Sequence, residues 1–173
     1  DATGGFAAGQ WLLDPANVEI VNEGTENGSF SGGNPDIFTP FSADGQFTAK
    51  IFSGTVADSL SDGTSVDIQT VDTQFPGTAG NIEVKAGATQ LASITNGSSV
   101  TLRLIAAGGI TINDEITGKG SPVNIQLRAL GAVQVNNSID TRGGNFTVAG
   151  SNTSGSRSEA FQDNAGSFTT GSG

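Results

Sequence analysis

The sequence predicts an all-β protein, a right-handed parallel β-helix forming a three-sided β-solenoid with coils of about 22–23 residues. Three observations predict it. Apolar residues and glycines recur at a fixed step in the C-terminal half. Within each step the apolar residues alternate with polar ones, which puts them on one face of a strand. Glycine supplies 26 of 173 residues, as a chain with many turns requires.

The step is constant over several tracks. Gly97, Gly120, Gly143 and Gly166 keep it, as do Val100, Val123 and Phe146, and Leu102, Ile125 and Val148. The pairs Ile110 and Val133, Ile112 and Val135, and Ile116 and Ile139 keep it too. Phe168 follows Phe146, and Ile116 follows Ile94, one position sooner. Hairpins joined by turns of two to five residues would not hold one register across separate strands. Three short strands and three turns therefore make one coil, and coils stack at about 4.8 Å. Val100, Val123 and Phe146 are expected in one internal ladder, with Leu102, Ile125 and Val148 beside them. The recurrent glycine is expected at a corner that a Cβ would crowd.

The domain expectation is a single solenoid module over 1–173, long enough for a real core, with regular coils over 94–170. In the N-terminal half, Val18-Glu19-Ile20, Val66-Asp67-Ile68 and Ile82-Glu83-Val84 read as first strands of earlier coils. The smaller step from Ile82 to Val100 reads as a shortened turn. Residues 22–50, rich in Gly, Asn, Ser and Pro and carrying Phe30, Phe38, Phe41 and Phe47, form a loop or hairpin excursion. Ile51, Val56 and Leu60 stand at near-helical spacing, which allows one helical turn. Ser151 to Ser158 reads as a loop leaving the coils. No amphipathic capping helix is evident at either end.

Composition excludes several function classes. The net charge is −10, and Lys50, Lys85, Arg103, Lys119, Arg128, Arg142 and Arg157 are scattered, so neither a nucleic-acid patch nor an anionic membrane surface is served. No run approaches the length of a membrane helix. Without Cys or His there is no disulfide, no thiolate metal site and no imidazole acid or base. The chain does not begin with Met and shows no signal peptide, so it reads as a mature product or a piece of something longer.

Two stretches resemble a known family. Residues Gln10-Trp11-Leu12-Leu13-Asp14-Pro15-Ala16-Asn17-Val18-Glu19-Ile20 look like the W-L-L-D-P-x-N-V-x-I signature of large bacterial exoproteins. These are the filamentous-haemagglutinin-like adhesins of two-partner secretion. Leu60-Ser61-Asp62-Gly63-Thr64-Ser65-Val66-Asp67-Ile68-Gln69-Thr70 resembles their L-x-x-G-T-x-V-x-I-x-T segment, and residues 109–116 fit their repeats. The resemblance covers roughly residues 5 to 150. It implies a long extracellular β-helical shaft on a Gram-negative cell. The N-P-N-G motif of the family's secretion domain is missing, because Asp36-Ile37 follows Asn34-Pro35. A shaft or repeat module fits this departure better than the exported signal domain.

Candidate chemistry is sparse. Trp11 offers a face on which a sugar can stack, but it is expected to pack as a first-coil core or edge residue within the family motif. Asp14-Pro15 reads as a turn. Asp114-Glu115 is an acidic pair of the kind polysaccharide-cleaving enzymes use, yet Asn137-Ser138 holds those positions in the next coil. Asp58 to Gly63 offers oxygen ligands near a glycine without the full pattern of a helix-loop-helix calcium site, so a solvated turn is expected. Asn27-Gly28-Ser29 and Asn96-Gly97-Ser98 fit the N-x-S pattern. No catalytic, cofactor-binding or metal residue is assigned, and no cofactor is expected.

The expected function is a structural or adhesive shaft module of a secreted bacterial surface protein, without hydrolase or lyase activity. Its expected partners are neighbouring β-helical modules or copies of itself, end to end, with host or cell-surface glycans as further candidates. No nucleic acid and no membrane insertion are expected. The alternatives are a carbohydrate- or surface-binding module acting through residues 22–50 and, in another class, a polysaccharide-active enzyme. Exposed aromatics on the excursion would favour the first, and clustered outward carboxylates the second.

Overall fold

A computed structural model describes residues 17–24, 26–40, 48–70, 80–95, 98–150, 162–163 and 168–169. Alternation governs the regular part. In Val100–Ala106 (β7) and Val123–Ala129 (β10), every second residue is buried, and Ile110–Ile112 (β8) and Val133–Val135 (β11) repeat the pattern. Ile116–Thr117 (β9) and Ile139–Asp140 (β12) are shorter, with one buried isoleucine each. Like strands pair in parallel at the offset the sequence repeats: Val100 opposite Val123, Ile110 opposite Val133, Ile116 opposite Ile139.

The strands make three sheets, and the chain is strand-rich and mostly parallel. The first sheet runs Thr48–Phe52 (β4), Asn17–Val21 (β1), Ile82–Val84 (β6), β8, β11, Gln162–Asp163 (β14). The second runs Gly28–Phe30 (β2), Asp36–Pro40 (β3), Val66–Gln69 (β5), β7, β10, Phe146–Gly150 (β13). The third holds β9, β12 and Phe168–Thr169 (β15). From β7 onward each pass of the chain gives one strand to each sheet in turn. The inward side chains form one apolar core from Val18 to Ile139. Burying each isoleucine or leucine there contributes about 1.5–3 kcal/mol.

Four expected registers are corrected. First, Phe146 lies opposite Ile125 and Val148 opposite Leu127, so Phe146 is not over Val123. The turn before β13 is the reason. Arg142 and Gly143 both take positive φ, +50° and +88°, and Gly144 N–H closes on the Thr141 carbonyl at 3.0 Å. This tight turn lays Gly144 on Val123: a Cβ on Gly144 would sit 2.3 Å from the Val123 carbonyl oxygen. The next strand therefore starts two residues further along its neighbour. A slip of two preserves the buried face.

Second, Ile94 bridges Gly118 rather than Ile116. It leaves a 3-10 helix, Thr89–Ser93, in place of a strand, and that tighter backbone changes the count. Third, Phe168 lies opposite Ile139 in the third sheet, not in line with Phe146. Strand β14 joins the first sheet in between, as β8 and β11 do in the earlier passes, and Phe168 follows its partner Ile139 by 29 residues instead of 23. Fourth, Val66-Asp67-Ile68 shares a sheet with Val100, but Val18-Glu19-Ile20 and Ile82-Glu83-Val84 pair with each other, and the latter also with Ile110–Ile112. The step from Ile82 to Val100 is thus a passage between sheets, not a shortened coil. Alternation is identical on both sheets, so it cannot say which one a strand joins.

Within residues 22–50, β2 and β3 form an antiparallel pair while β3 also pairs in parallel with β5. Phe30 and Phe38 pack edge-to-face at 5.3 Å. Helix α1, Ser53–Ser61, is longer than the single turn expected and buries Ser53, Val56, Ala57 and Leu60. It packs on the 3-10 helix and on β4, β5 and β7. The helix is amphipathic and stands where the spacing of Ile51, Val56 and Leu60 allows a turn. Its apolar face is only three residues, interrupted by Gly, Ser and Asp, and is weak as a pattern.

Candidate functional site

The acidic pair resolves into turn chemistry. Asp114 accepts the Glu115 N–H at 2.7 Å through one carboxylate oxygen and the Gly87 N–H at 2.7 Å through the other. Glu115 accepts the Thr117 hydroxyl. One pass later, Asn137 accepts the Ser138 N–H at 2.8 Å, the same local turn made by an amide. Asp and Asn interchange here because each satisfies a backbone donor in its own turn.

The stretch from Asp58 to Gly63 is the end of α1 rather than a ligand loop. Asp62 N–H bonds the Asp58 carbonyl at 2.8 Å, Gly63 N–H the Leu60 carbonyl at 3.1 Å, and Thr64 N–H the Ser59 carbonyl at 2.9 Å. Gly63, at φ +83°, ends the helix as glycine commonly does. Among the described residues no three His, Cys, Asp or Glu side chains are placed to hold a metal ion. Trp11, Asp14-Pro15, Asn96-Gly97 and Ser151 to Ser158 lie outside the described residues. In Asn27-Gly28-Ser29, the central Gly28 is buried against Phe38.

Polar side chains instead organise three places on the surface. On the first sheet Glu19 stands between Lys50 and Glu83. Lys85 Nζ reaches Glu83 at 3.1 Å and Glu19 at 3.7 Å, relieving the contact of like charges. The hydrogen bond to Glu83 chiefly, and attraction to both carboxylates, holds the lysine pKa above its ordinary value. Asn113 donates to Glu83 at 2.8 Å and Asn136 to Asn113 at 2.7 Å, extending the network. A depression of about 200 Å³ lies beside it, between Asn17, Glu19, Thr48, Asn81 and Glu83.

On the second sheet Asp67 is nearly buried and bonded by Arg103 through two guanidinium nitrogens, Nε at 2.9 Å. That bond raises the Arg103 pKa further. At the hairpin, buried Asp36 accepts the Ser31 hydroxyl at 3.1 Å, the Gly32 N–H at 2.7 Å and the Ser59 hydroxyl at 3.3 Å, tying the hairpin to α1. No family model, curated protein or solved structure matches this chain.

Beside these three places, a cleft of about 330 Å³ lies at the end of β7 and β10. Gln69, Ile105 and Arg128 line it in one outward column, with Ala107 and Leu130 at the corner. The sequence reading missed it, although two signals were present. Ile105 follows Leu104 and so breaks the apolar–polar alternation, and Arg128 lies one regular step beyond Ile105. The described surface thus offers hydrogen-bonding ladders and one amphipathic cleft. Its acidic side chains mostly serve as acceptors for the protein's own donors.

Proposed function

We propose that the chain is a right-handed parallel β-helix serving as a structural or adhesive shaft module of a secreted bacterial surface protein of the filamentous-haemagglutinin-like kind. The observation that carries this reading is the order of the strands. Successive passes give one strand each to the three sheets, paired in parallel at one constant offset from β7 to β10, β8 to β11 and β9 to β12. Such a stack grows by adding passes, which suits a shaft.

The reading has a direction. Beyond β4, Asn27 N–H bonds the Lys50 carbonyl at 3.0 Å and the Glu26 carboxylate accepts the Phe52 N–H at 3.1 Å. The antiparallel strand β2 ends the second sheet on that side. At the other side β13, β14 and β15 are the last described strands of their sheets. A neighbouring β-helical module would therefore add beside β13–β15, where a strand edge can template further pairing.

The described aromatics favour the shaft over a binding module acting through residues 22–50. Phe38 is buried, and Phe30 packs against the core. The turn role of Asp114 and Glu115 favours a non-catalytic reading. Electron microscopy and light scattering of the chain test the proposal. Rods that lengthen with concentration are expected, and compact monomers at every concentration would overturn it. Fractionation of producing cells is expected to find the protein outside the cell envelope or on its surface.

A further inference from the structure

Ile105 is out of character with its face of the molecule. From β5 to β13 the neighbouring outward columns on the second sheet are polar: Asp67, Arg103, Gln126 and Thr147 in one, with Ile37 beyond Asp67 on β3, and Thr101 and Asn124 in the other. Ile105 is half-buried between Gln69 and Arg128 and belongs to no part of the core. With Leu130, and with the small Ala107 at the corner, it makes an apolar floor under a cleft of about 330 Å³. That size lies at the lower end for small-molecule sites, room for about one sugar ring.

Two polar groups flank the floor. Arg128 is exposed and makes no ion pair or hydrogen bond among the described residues, whereas Arg103 in the next column is committed to Asp67. A free guanidinium fork matches a carboxylate through two parallel bonds. Gln69 adds an amide that can both donate and accept toward hydroxyls. The cleft's backbone donors are engaged elsewhere: Thr70 N–H on the Ile105 carbonyl at 2.9 Å, Leu130 N–H on the Ala106 carbonyl at 3.2 Å, Ala107 N–H on the Thr70 hydroxyl at 3.1 Å. Peptide C-termini are usually captured by clustered free N–H groups. Recognition here falls to side chains over an apolar floor, which suits a pyranose with one C–H face and one charged edge.

We infer that this cleft binds an acidic pyranose, a sugar ring carrying a single carboxylate, at the end of a glycan chain. The carboxylate meets Arg128, the ring lies on Ile105 and Leu130, and a hydroxyl meets Gln69. The net charge of −10 repels polyanions at long range, so a terminal acidic residue fits better than a polyuronate. The inference stands whether or not the chain is a shaft.

Glucuronate is the probe, titrated into the isotopically labelled 173-residue chain by NMR. Saturable shifts at Gln69, Ile105, Arg128 and Leu130 are expected, with millimolar affinity. Glucose, acetate and an N-acetyl dipeptide serve as controls, and each is expected to bind at least about tenfold more weakly. Arg128→Gln is expected to weaken glucuronate about tenfold or more while leaving the rest of the spectrum in place. Ile105→Ser is expected to bring glucuronate down toward acetate. Absence of shifts, equal binding of any control, or glucuronate binding unchanged in Arg128→Gln would overturn the inference.

Discussion

The passes from Val100 to Gly150 and the region from Asn17 to Lys85 use the same alternating strands but are held together differently. In the first, each strand lies on its counterpart one pass away, at the regular offset or slightly short of it. In the second, partners lie far apart in sequence: Val18 pairs with both Ala49 and Ile82, and Val66 with Leu102. Each ion pair among the described residues includes a side chain from this second region, as do the Asp36 bonds and the Glu26 bond to β4. Where stacking repeats, apolar ladders and backbone pairing are joined by uncharged amide bonds between passes, such as Asn136 to Asn113 and Asn124 to the Val100 carbonyl. Where it does not, particular polar side chains fix which segments meet.

The largest effect expected from this contrast is on the ladders. Ile125 is buried between Leu102 and Phe146. Ile125→Asp puts an unpaired charge in the core at a cost of several kcal/mol, enough to remove the cooperative unfolding transition. Ile37→Asn is the control in the other region, where Ile37 is 46% exposed and an uncharged side chain adds no charge beside Asp67. Its change is expected within about 0.5 kcal/mol by urea denaturation. Equal effects would mean the ladders do not carry the stability.

The same contrast explains what was legible in the sequence. The all-β class and the regular offset were readable because a stacked side chain meets its own kind one pass later, so geometry writes itself as period. The shift at Phe146 was not readable, since it arises from the positive-φ pair Arg142 and Gly143 in a turn no longer than the one before it. Val18 and Ile82 could not be assigned to a sheet, because either sheet asks for the same alternation. The cleft at Ile105 and Arg128 was readable in principle, as a break in alternation one step from a cation. The Asp36 and Lys85 networks were not, because their partners are brought together by pairing between segments distant in sequence.

The next effects are intermediate. Gly144→Ala forces a Cβ to within 2.3 Å of the Val123 carbonyl oxygen, and backbone must move. A loss of about 1–3 kcal/mol is expected, with β13 returning toward the regular register in NMR cross-strand contacts. Gly32→Ala has open space but φ +72° and is expected to cost about 1 kcal/mol. In the irregular region, Asp36→Ala strands the Gly32 N–H and the Ser31 and Ser59 hydroxyls. A loss of about 1–3 kcal/mol is expected. Hydrogen exchange should rise in β2, β3 and α1 while β7, β10 and β11 stay protected. Uniformly faster exchange would show that the two regions unfold as one unit.

The smallest expected effect concerns Lys85, and it is the most specific to the irregular region. Strand pairing sets Glu19 beside Glu83, and Lys85 answers both. The lysine pKa is raised in the folded protein above its ordinary 10.5, first by the hydrogen bond to Glu83. A group with a raised folded pKa binds its proton more tightly when folded. Its stabilisation is fully present below the unfolded pKa and fades as pH rises through the folded one. Lys85 is 40% exposed, so solvent screening keeps the contribution within about 1 kcal/mol. Lys85→Gln is expected to lower the urea midpoint slightly at neutral pH. The difference from the parent chain should narrow as pH passes above 10.5. It should also shrink in salt, as exposed pairs do. A difference that persists unchanged above that pH would show that Lys85 acts by packing its aliphatic stem, leaving the two glutamates to be tolerated by solvent alone.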